Sequence, residues 1–262
     1  MDVSRALQIE GLSDVGRVRP HNEDCLVIKA ASGLVVLADG MGGYNAGEVA
    51  SGLATALLAR GVESVWPAMV AHATREESKE RAEHLLREEI QFTNQAIYRK
   101  AENDPNCAGM GTTLVAGLFY DNFVTVAHIG DSRLYRLRRD LFSQMTRDHS
   151  LLQEQLDNGF ISIEDALHSH NKNLVTRALG VDALAEPEIH SYEVLPGDLY
   201  LFCSDGLNDA VGDESIRALL HRLAVDPAQA VGQLVETANS NGGRDNISVV
   251  LVKVLSEFDV VR

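Results

Sequence analysis

Short apolar runs alternate along this chain with charged stretches of helical period. The runs at residues 34–38 (LVVLA), 113–119 (TLVAGLF), 122–129 (NFVTVAHI), 133–137, 199–203 and 247–254 (ISVVLVKV) predict strands. They are rich in β-branched or aliphatic residues and bounded by Gly, Asp or Asn. Phe119-Tyr120-Asp121-Asn122-Phe123 reads as a hairpin turn, which makes the strands on either side antiparallel neighbours. A further strand is expected at 25–28. Helical spacing is clear at 75–103, where Ala82, Leu86, Ile90, Thr93 and Ile97 recur within a charged segment. Asp226 followed by Pro227 is a helix start, with Ala230, Val231, Leu234, Val235 and Ala238 as its apolar stripe and Gly242-Gly243 as its stop. Asp213 opens a similar helix with Ile216, Leu219, Leu220 and Leu223 on one face. The small-residue segment 47–60 is suited to tight packing on a sheet. Hairpins among the strands favour an α+β sandwich covered by helices over a doubly wound parallel sheet.

Composition narrows the class of partner. The 262 residues carry 38 Asp and Glu against 23 Lys and Arg, a formal net charge of −15. A surface this acidic repels a phosphate backbone and an anionic bilayer, so neither nucleic acid nor membrane is expected as a partner. With 45% hydrophobic and 23% charged residues the chain is an ordinary globular one. No linker-like or low-complexity segment interrupts it, so one domain over 1–262 is expected, and a monomer. Cys25, Cys107 and Cys203 are odd in number and widely spaced, which argues against a disulfide framework or a structural zinc site. The start of the chain has no apolar core of a signal peptide, and no apolar run approaches the ~18–20 residues of a membrane span, so a cytoplasmic location is expected.

The acids have a positional pattern. Asp39, Asp131 and Asp205 follow predicted strands, Asp245 stands just before one, and Glu23-Asp24 precedes the strand at 25–28. One Asp-Gly after a strand is usually a turn. Several such carboxylates converging at one edge of a sandwich cannot all stay ionised unless a cation joins them. Hard divalent ions such as Mg²⁺ or Mn²⁺ suit that ligand set, and a glycine after the acid lets a backbone carbonyl approach. Arg19, four residues before Glu23, is no metal ligand but suits a phosphate fork. Acids and arginine together suggest phosphoryl chemistry.

These residues fall into motifs. Arg19-x-x-Asn22-Glu23-Asp24, Ala38-Asp39-Gly40-Met41-Gly42-Gly43, Gly111-Thr112-Thr113, Gly130-Asp131-Ser132-Arg133, Asp148-His149-Ser150, Thr176-Arg177-Ala178-Leu179-Gly180, Cys203-Ser204-Asp205-Gly206-Leu207 and Asp245-Asn246-Ile247-Ser248 occur in that order. The set resembles the metal-dependent serine/threonine protein phosphatases (the PPM, or type 2C, family), bacterial branch. The resemblance implies an α-β-β-α sandwich of two mostly antiparallel sheets with a two-metal centre (Mn²⁺ or Mg²⁺) at one edge. It implies hydrolysis of phosphoserine and phosphothreonine by direct attack of a metal-bridging water. By the same resemblance Asp39 bridges both metals, Asp205 and Asp245 complete one site, and Glu23 with the Gly40 carbonyl holds the other. Asp24 orders metal-bound water, Asp131 with Asp205 holds a third, weaker ion, and Arg19 binds phosphate. The partners implied are phosphoserine and phosphothreonine proteins and a cognate bacterial eukaryotic-type Ser/Thr kinase, in growth, stress or secretion control, type VI secretion among them.

Departures from the family pattern bear on the chemistry. Many eukaryotic members carry His after the Asp-Gly, as a general acid; here it is Met41. The stretch 148–175 corresponds to the variable flap beside the active site and lacks the His-Pro common before Thr-Arg-Ala-Leu-Gly; its His168-x-His170 reads as a solvated loop. Asn22, His149, Arg177 and Asn246 read as scaffolding. The alternative function is a non-catalytic phosphoprotein-binding regulator of the same fold, which usually lacks a metal acid. Two divalent ions would take the net charge from −15 to −11 and a third to −9. The surplus then predicts a target phosphosite in a basic or flexible segment.

Overall fold

The computed structural model describes residues 3–43, 46–162, 165 and 174–258. Two antiparallel sheets lie face to face. One has the order β1-β11-β10-β7-β8, built from β1 (Leu7–Asp14), β11 (Ile247–Val254), β10 (Leu199–Cys203), β7 (Arg133–Arg138) and β8 (Leu141–Gln144). The other has the order β2-β3-β5-β6-β9, from β2 (Asp24–Lys29), β3 (Leu34–Met41), β5 (Leu114–Tyr120), β6 (Phe123–Ile129) and β9 (Glu188–Glu193), with β4 (Gly111–Thr112) added to the end of β3. The strand pairings are antiparallel, as the hairpin pattern predicts.

Helices cover both outer faces. Helices α1 (Ala46–Val70) and α2 (Arg75–Asn103) cover the second sheet, and α5 (Asp213–Leu223) and α6 (Pro227–Ser240) cover the first. Two shorter helices, α3 (Leu151–Asp157) and α4 (Asp205–Asn208), lie in connections. The α-β-β-α sandwich is therefore realised.

Three apolar layers explain why the central strands are apolar at every position. On β3, Leu34, Val36 and Ala38 face the α1/α2 layer while Val35 and Leu37 face the opposite sheet. On β10, Tyr200 and Phe202 face the inter-sheet layer while Leu199, Leu201 and Cys203 face α5 and α6. A strand sealed on both faces has no polar side, so the period of two disappears from the sequence. The β5–β6 turn places Asp121 and Asn122 at φ +44° and +62°, the two left-handed residues that a two-residue hairpin demands. Helix α2 spans the predicted 75–103 and begins with a capping box between Thr74 and Glu77. Trp66 packs edge-on against Tyr120, with ring centroids 5.0 Å apart.

The pairing directions bring one end of both sheets to a common edge. The C-terminal ends of β1, β3, β6 and β10 and the N-terminal ends of β2, β5, β7 and β11 all lie there. Each predicted site acid belongs to one of these ends. Because the edge depends on the inter-sheet layer, Leu37→Ala, at a fully buried position, is expected to destabilise the protein by about 2–5 kcal/mol in urea unfolding.

Candidate active site

Asp39 lies in β3, directly opposite Asp24 of β2. Its backbone is fixed from the neighbouring segment: its N–H donates to Thr113 Oγ1 at 3.0 Å, and its carbonyl accepts from Thr112 Oγ1 at 2.8 Å and from the Thr113 N–H at 2.9 Å. The next residue needs to be glycine: a Cβ on Gly40 would sit 2.1 Å from the carbonyl oxygen of Gly47 at the start of α1. That close approach brings the α1 N-terminus to Glu23, whose carboxylate accepts a backbone bond from Gly47. Glu23 is held at its backbone too, its carbonyl accepting from the Gly40 N–H and from Ser51 Oγ.

The other sheet supplies the facing side. Asp205 opens α4 just after β10, and Asp245 precedes β11. A Cβ on Gly206 would meet the Asn246 carbonyl at 2.0 Å, so the two segments touch backbone to backbone. Asn246 joins the sheets: its Oδ1 accepts from the Glu23 N–H at 2.8 Å and its Nδ2 donates to the carbonyls of Val15 and His21 at 3.0 and 2.9 Å. Asn22 donates to Ser13 Oγ and accepts from the Asp24 N–H. Ser204 Oγ donates to Asp24 Oδ2 at 2.7 Å and accepts from the Ser248 N–H at 3.0 Å. Arg19 crosses the mouth, half exposed, donating to Asp245 Oδ2 at 2.6 Å.

Electrostatically this edge is incomplete. Burial, then the neighbouring carboxylates Asp24, Asp205, Asp131 and Asp245, push the Asp39 pKa well above the ordinary carboxylate value. Burial followed by Asp131 and Asp245 does the same to Asp205. Burial lifts Asp24 to about 6 against the bonds from Ser248 and Ser204, and burial with Asp148 lifts Asp131 to about 6. Glu23 is also raised by burial, Arg19 partly offsetting it. Asp24 Oδ1 and Asp205 Oδ1 are buried without a hydrogen-bond partner. Orphaned buried carboxylate oxygens are costly. Together with raised pKa values, they fit oxygen ligands awaiting hard divalent cations.

Asp131 sits beyond Gly130, whose φ of +101° and close contact with Thr113 leave no room for a side chain. The segment around it is clamped by residues that lie far away in sequence. Arg133 forms a fork onto both carboxylate oxygens of Asp148 and reaches the Tyr135 hydroxyl. His149 bonds Gly130 twice, its N–H to the Gly130 carbonyl at 2.9 Å and its Nδ1 accepting the Gly130 N–H at 3.2 Å. Its Nε2 is then the protonated nitrogen, 3.2 Å from Glu188 Oε1. Its ring stacks on His128, whose Nε2 lies 2.9 Å from the Arg147 carbonyl.

Sequence reasoning did not single out His128 or Glu188; the three residues come from β6, the Asp148 segment and β9, with no spacing signal to unite them. Donor atoms of His128, His149 and Glu188 all lie within 4.8 Å of one another, a spacing open to a metal ion. The bonds already made by both nitrogens of His149 instead favour a clamp. His149 and Asn246 thus occupy scaffold positions. Arg177 is exposed, on the stretch after the flap. His168 and His170 lie outside the described residues, as does much of 148–175.

A carboxylate with a raised folded-state pKa favours folding below its unfolded value and loses that contribution as pH climbs through the folded one. With chelator present, the protein is expected to lose stability relative to Asp39→Asn as pH rises from ~4 toward and past neutral, because burial and its carboxylate neighbours raise Asp39 well above the ordinary carboxylate value. Adding Mn²⁺ should recover it mainly in the wild type. Melting temperatures across that pH range check both; parallel curves with chelator would refute the electrostatic reading.

Comparison with known proteins identifies the family. A family model described as protein phosphatase 2C matches residues 18–251. The chain is 39% identical over 250 residues to the serine/threonine phosphatase Stp of Listeria innocua, covering 94% of this chain and 96% of that protein. It superposes on the crystal structure of the Mycobacterium tuberculosis serine/threonine phosphatase PstP/Ppp with a TM-score of 0.81 at 38% identity, over 95% and 99% of the two chains. A structure of the PstP catalytic domain, similar at TM-score 0.80 and 38% identity over 95% and 99% of the two chains, contains two manganese ions. PppA of Pseudomonas aeruginosa, described as a key regulatory component of T6SS, superposes at 0.80 with 36% identity over 95% and 98%. With a family model matched over residues 18–251 and relatives 38–39% identical along nearly the whole chain, the chain belongs to the protein phosphatase 2C family.

Proposed function

We propose that the shared sheet edge is the catalytic centre of a metal-dependent protein serine/threonine phosphatase acting on phosphoserine and phosphothreonine. The chain is a hydrolase of phosphoproteins, as its family membership and its named relatives support. The observation that carries the assignment of residues is the set of buried, partly orphaned carboxylates beneath a half-exposed arginine.

Asp39, Asp205 and Asp245 would hold one divalent ion, and Asp39, Glu23 and the Gly40 carbonyl a second, with Asp131 and Asp205 offering a third, weaker position. Mn²⁺ or Mg²⁺ in that set supplies Lewis acidity and a water acidified toward neutral pH. Asp24, tied to Ser204, orients water within the centre. Arg19 binds the substrate phosphate: one bond to Asp245 holds it at the mouth, and its remaining donors form a fork suited to phosphate oxygens. Charge building on the phosphoryl oxygens as the ester bond breaks is offset by this guanidinium. Met41 carries no proton to give, so the side chain after Gly40 does not serve as general acid.

The non-catalytic reading loses its ground, because Glu23, Asp39, Asp205 and Asp245 all reach the edge. A Ser/Thr kinase is the opposing activity proposed. Secretion control is a pathway to test first, given the likeness to PppA. Among the described residues no helix is long and apolar enough to cross a membrane.

Mn²⁺ should permit phosphate release from a phosphothreonine peptide, and EDTA should abolish it. Asp39→Ala or Asp205→Ala should lower kcat by about 10²–10³-fold or more; full activity in either would remove that residue from the centre. Arg19→Ala should lower kcat/KM by about 10–100-fold, with Arg19→Lys recovering part, since lysine keeps the charge and loses the fork. Malachite-green phosphate release and steady-state kinetics read all of these.

A further inference from the structure

The mouth of the centre is basic in an otherwise acidic chain. Two loops form this side, the β1–β2 loop with Arg17, Arg19 and His21, and the α6–β11 loop with Arg244; all four side chains are exposed. Their proximity is built into the backbone. Arg17 N–H donates to the Gly243 carbonyl at 2.7 Å. Gly16, at φ +82°, leaves no space for a Cβ, which would meet the Asp245 carbonyl at 2.2 Å. Gly243, at φ +50°, lies against the Arg17 stem, where an added Cβ would come within 2.8 Å of its Cγ.

These contacts hold the Arg17 segment beside the Arg244 segment, the first two residues from Arg19 and the second next to Asp245. Arg19 already has a local partner in Asp245. Among the described residues Arg17 and Arg244 make no ion pair. Asp14 senses the Arg17 charge, but its own oxygen is engaged by the Gly16 N–H and Asn239. Two arginines at a phosphate-binding mouth therefore keep free forks.

We propose that Arg17 and Arg244 form an anion subsite that takes an acidic or phosphorylated side chain flanking the residue being dephosphorylated. The inference rests on the phosphatase reading above and adds which substrates the site prefers. A guanidinium fork pairs with a carboxylate or a phosphate in the same planar way, so both anions qualify. In an extended substrate, side chains two positions apart share a face and lie roughly 7 Å apart, so the flanking anion is placed about two positions from the phosphoresidue.

The net charge of −15 does not oppose this. Bulk charge governs approach, and salt screens it beyond about 8 Å at physiological ionic strength. A flanking side chain in contact with the loops responds to the arginines beside it. The preferred substrate is then an acidic or multiply phosphorylated spot within a segment that is otherwise basic or flexible.

Phosphothreonine peptides carrying Ala, Glu or a non-hydrolysable phosphonate analogue of phosphoserine two positions to either side distinguish the outcomes. The wild type should favour the Glu and phosphonate peptides by about five-fold in kcat/KM at 0.1 M salt, a size typical of exposed charge pairs. The preference should shrink at 0.5 M. In R17A/R244A the ratio should fall toward one, and R17K/R244K should keep part of it. Fluorescence anisotropy with non-hydrolysable phosphonate peptides should show the same ranking in binding. Equal rates for all peptides in the wild type, or a ratio unchanged in R17A/R244A, overturns the subsite. Failure to hydrolyse any of the peptides overturns the phosphatase reading instead.

Discussion

Like charge held out of water is the constraint around which this protein is arranged. Glu23, Asp24, Asp39, Asp131, Asp205 and Asp245 come to one edge, and the chain around them supplies fewer countercharges than acids. Neighbouring carboxylates and burial act in the same direction on Asp39 and Asp205, and both are displaced well above the ordinary carboxylate value. Such an arrangement survives only because the surrounding scaffold contributes the stability that the edge removes. Three apolar layers, two sheets sealed on both faces and four covering helices perform that task.

The scaffold also explains why the joints at the edge are small or polar. Several of the closest approaches at the edge are backbone to backbone: Gly40 against Gly47, Gly16 against Asp245, Gly206 against Asn246. Amides and hydroxyls then complete the polar groups that these contacts leave. Asn246 alone satisfies two carbonyls and one N–H. The acids are thus positioned by rigid main chain, and their side chains need little ordering when cations bind.

Much of this was legible in the sequence, and the gaps have physical causes. The strands at 199–203 and 247–254 and the helix at 75–103 are found with their predicted bounds, because apolar runs and capped amphipathic stretches carry their own signals. The strand at 34–38 continues to Met41, since Asp39 and Gly40 are held in the ladder by Thr112 and Thr113 rather than by their own propensity. Strands β1, β8 and β9 were not foreseen. Each ends a sheet, has half-buried or exposed positions, and carries Glu, Gln, Ser or His, so neither an apolar run nor clean alternation marks it. The acids of the edge were legible because strand ends and glycines flag them. The clamp of His128, His149 and Glu188 was not, since tertiary packing alone assembles it.

The segment that precedes Thr-Arg-Ala-Leu-Gly is closed at its base. Ser150 bridges Val175, the Thr176 N–H donates to the His149 carbonyl, and Leu179 bridges Thr112 beside β3. Lengthening a closed loop is thermodynamically mild, about 0.6 kcal/mol per doubling. Residues between the two sides of the stem can therefore be replaced, extended or rebuilt while the carboxylates stay in place. That separation lets the enclosed sequence vary without disturbing the hydrogen bonds by which Thr112 and Thr113 fix Asp39.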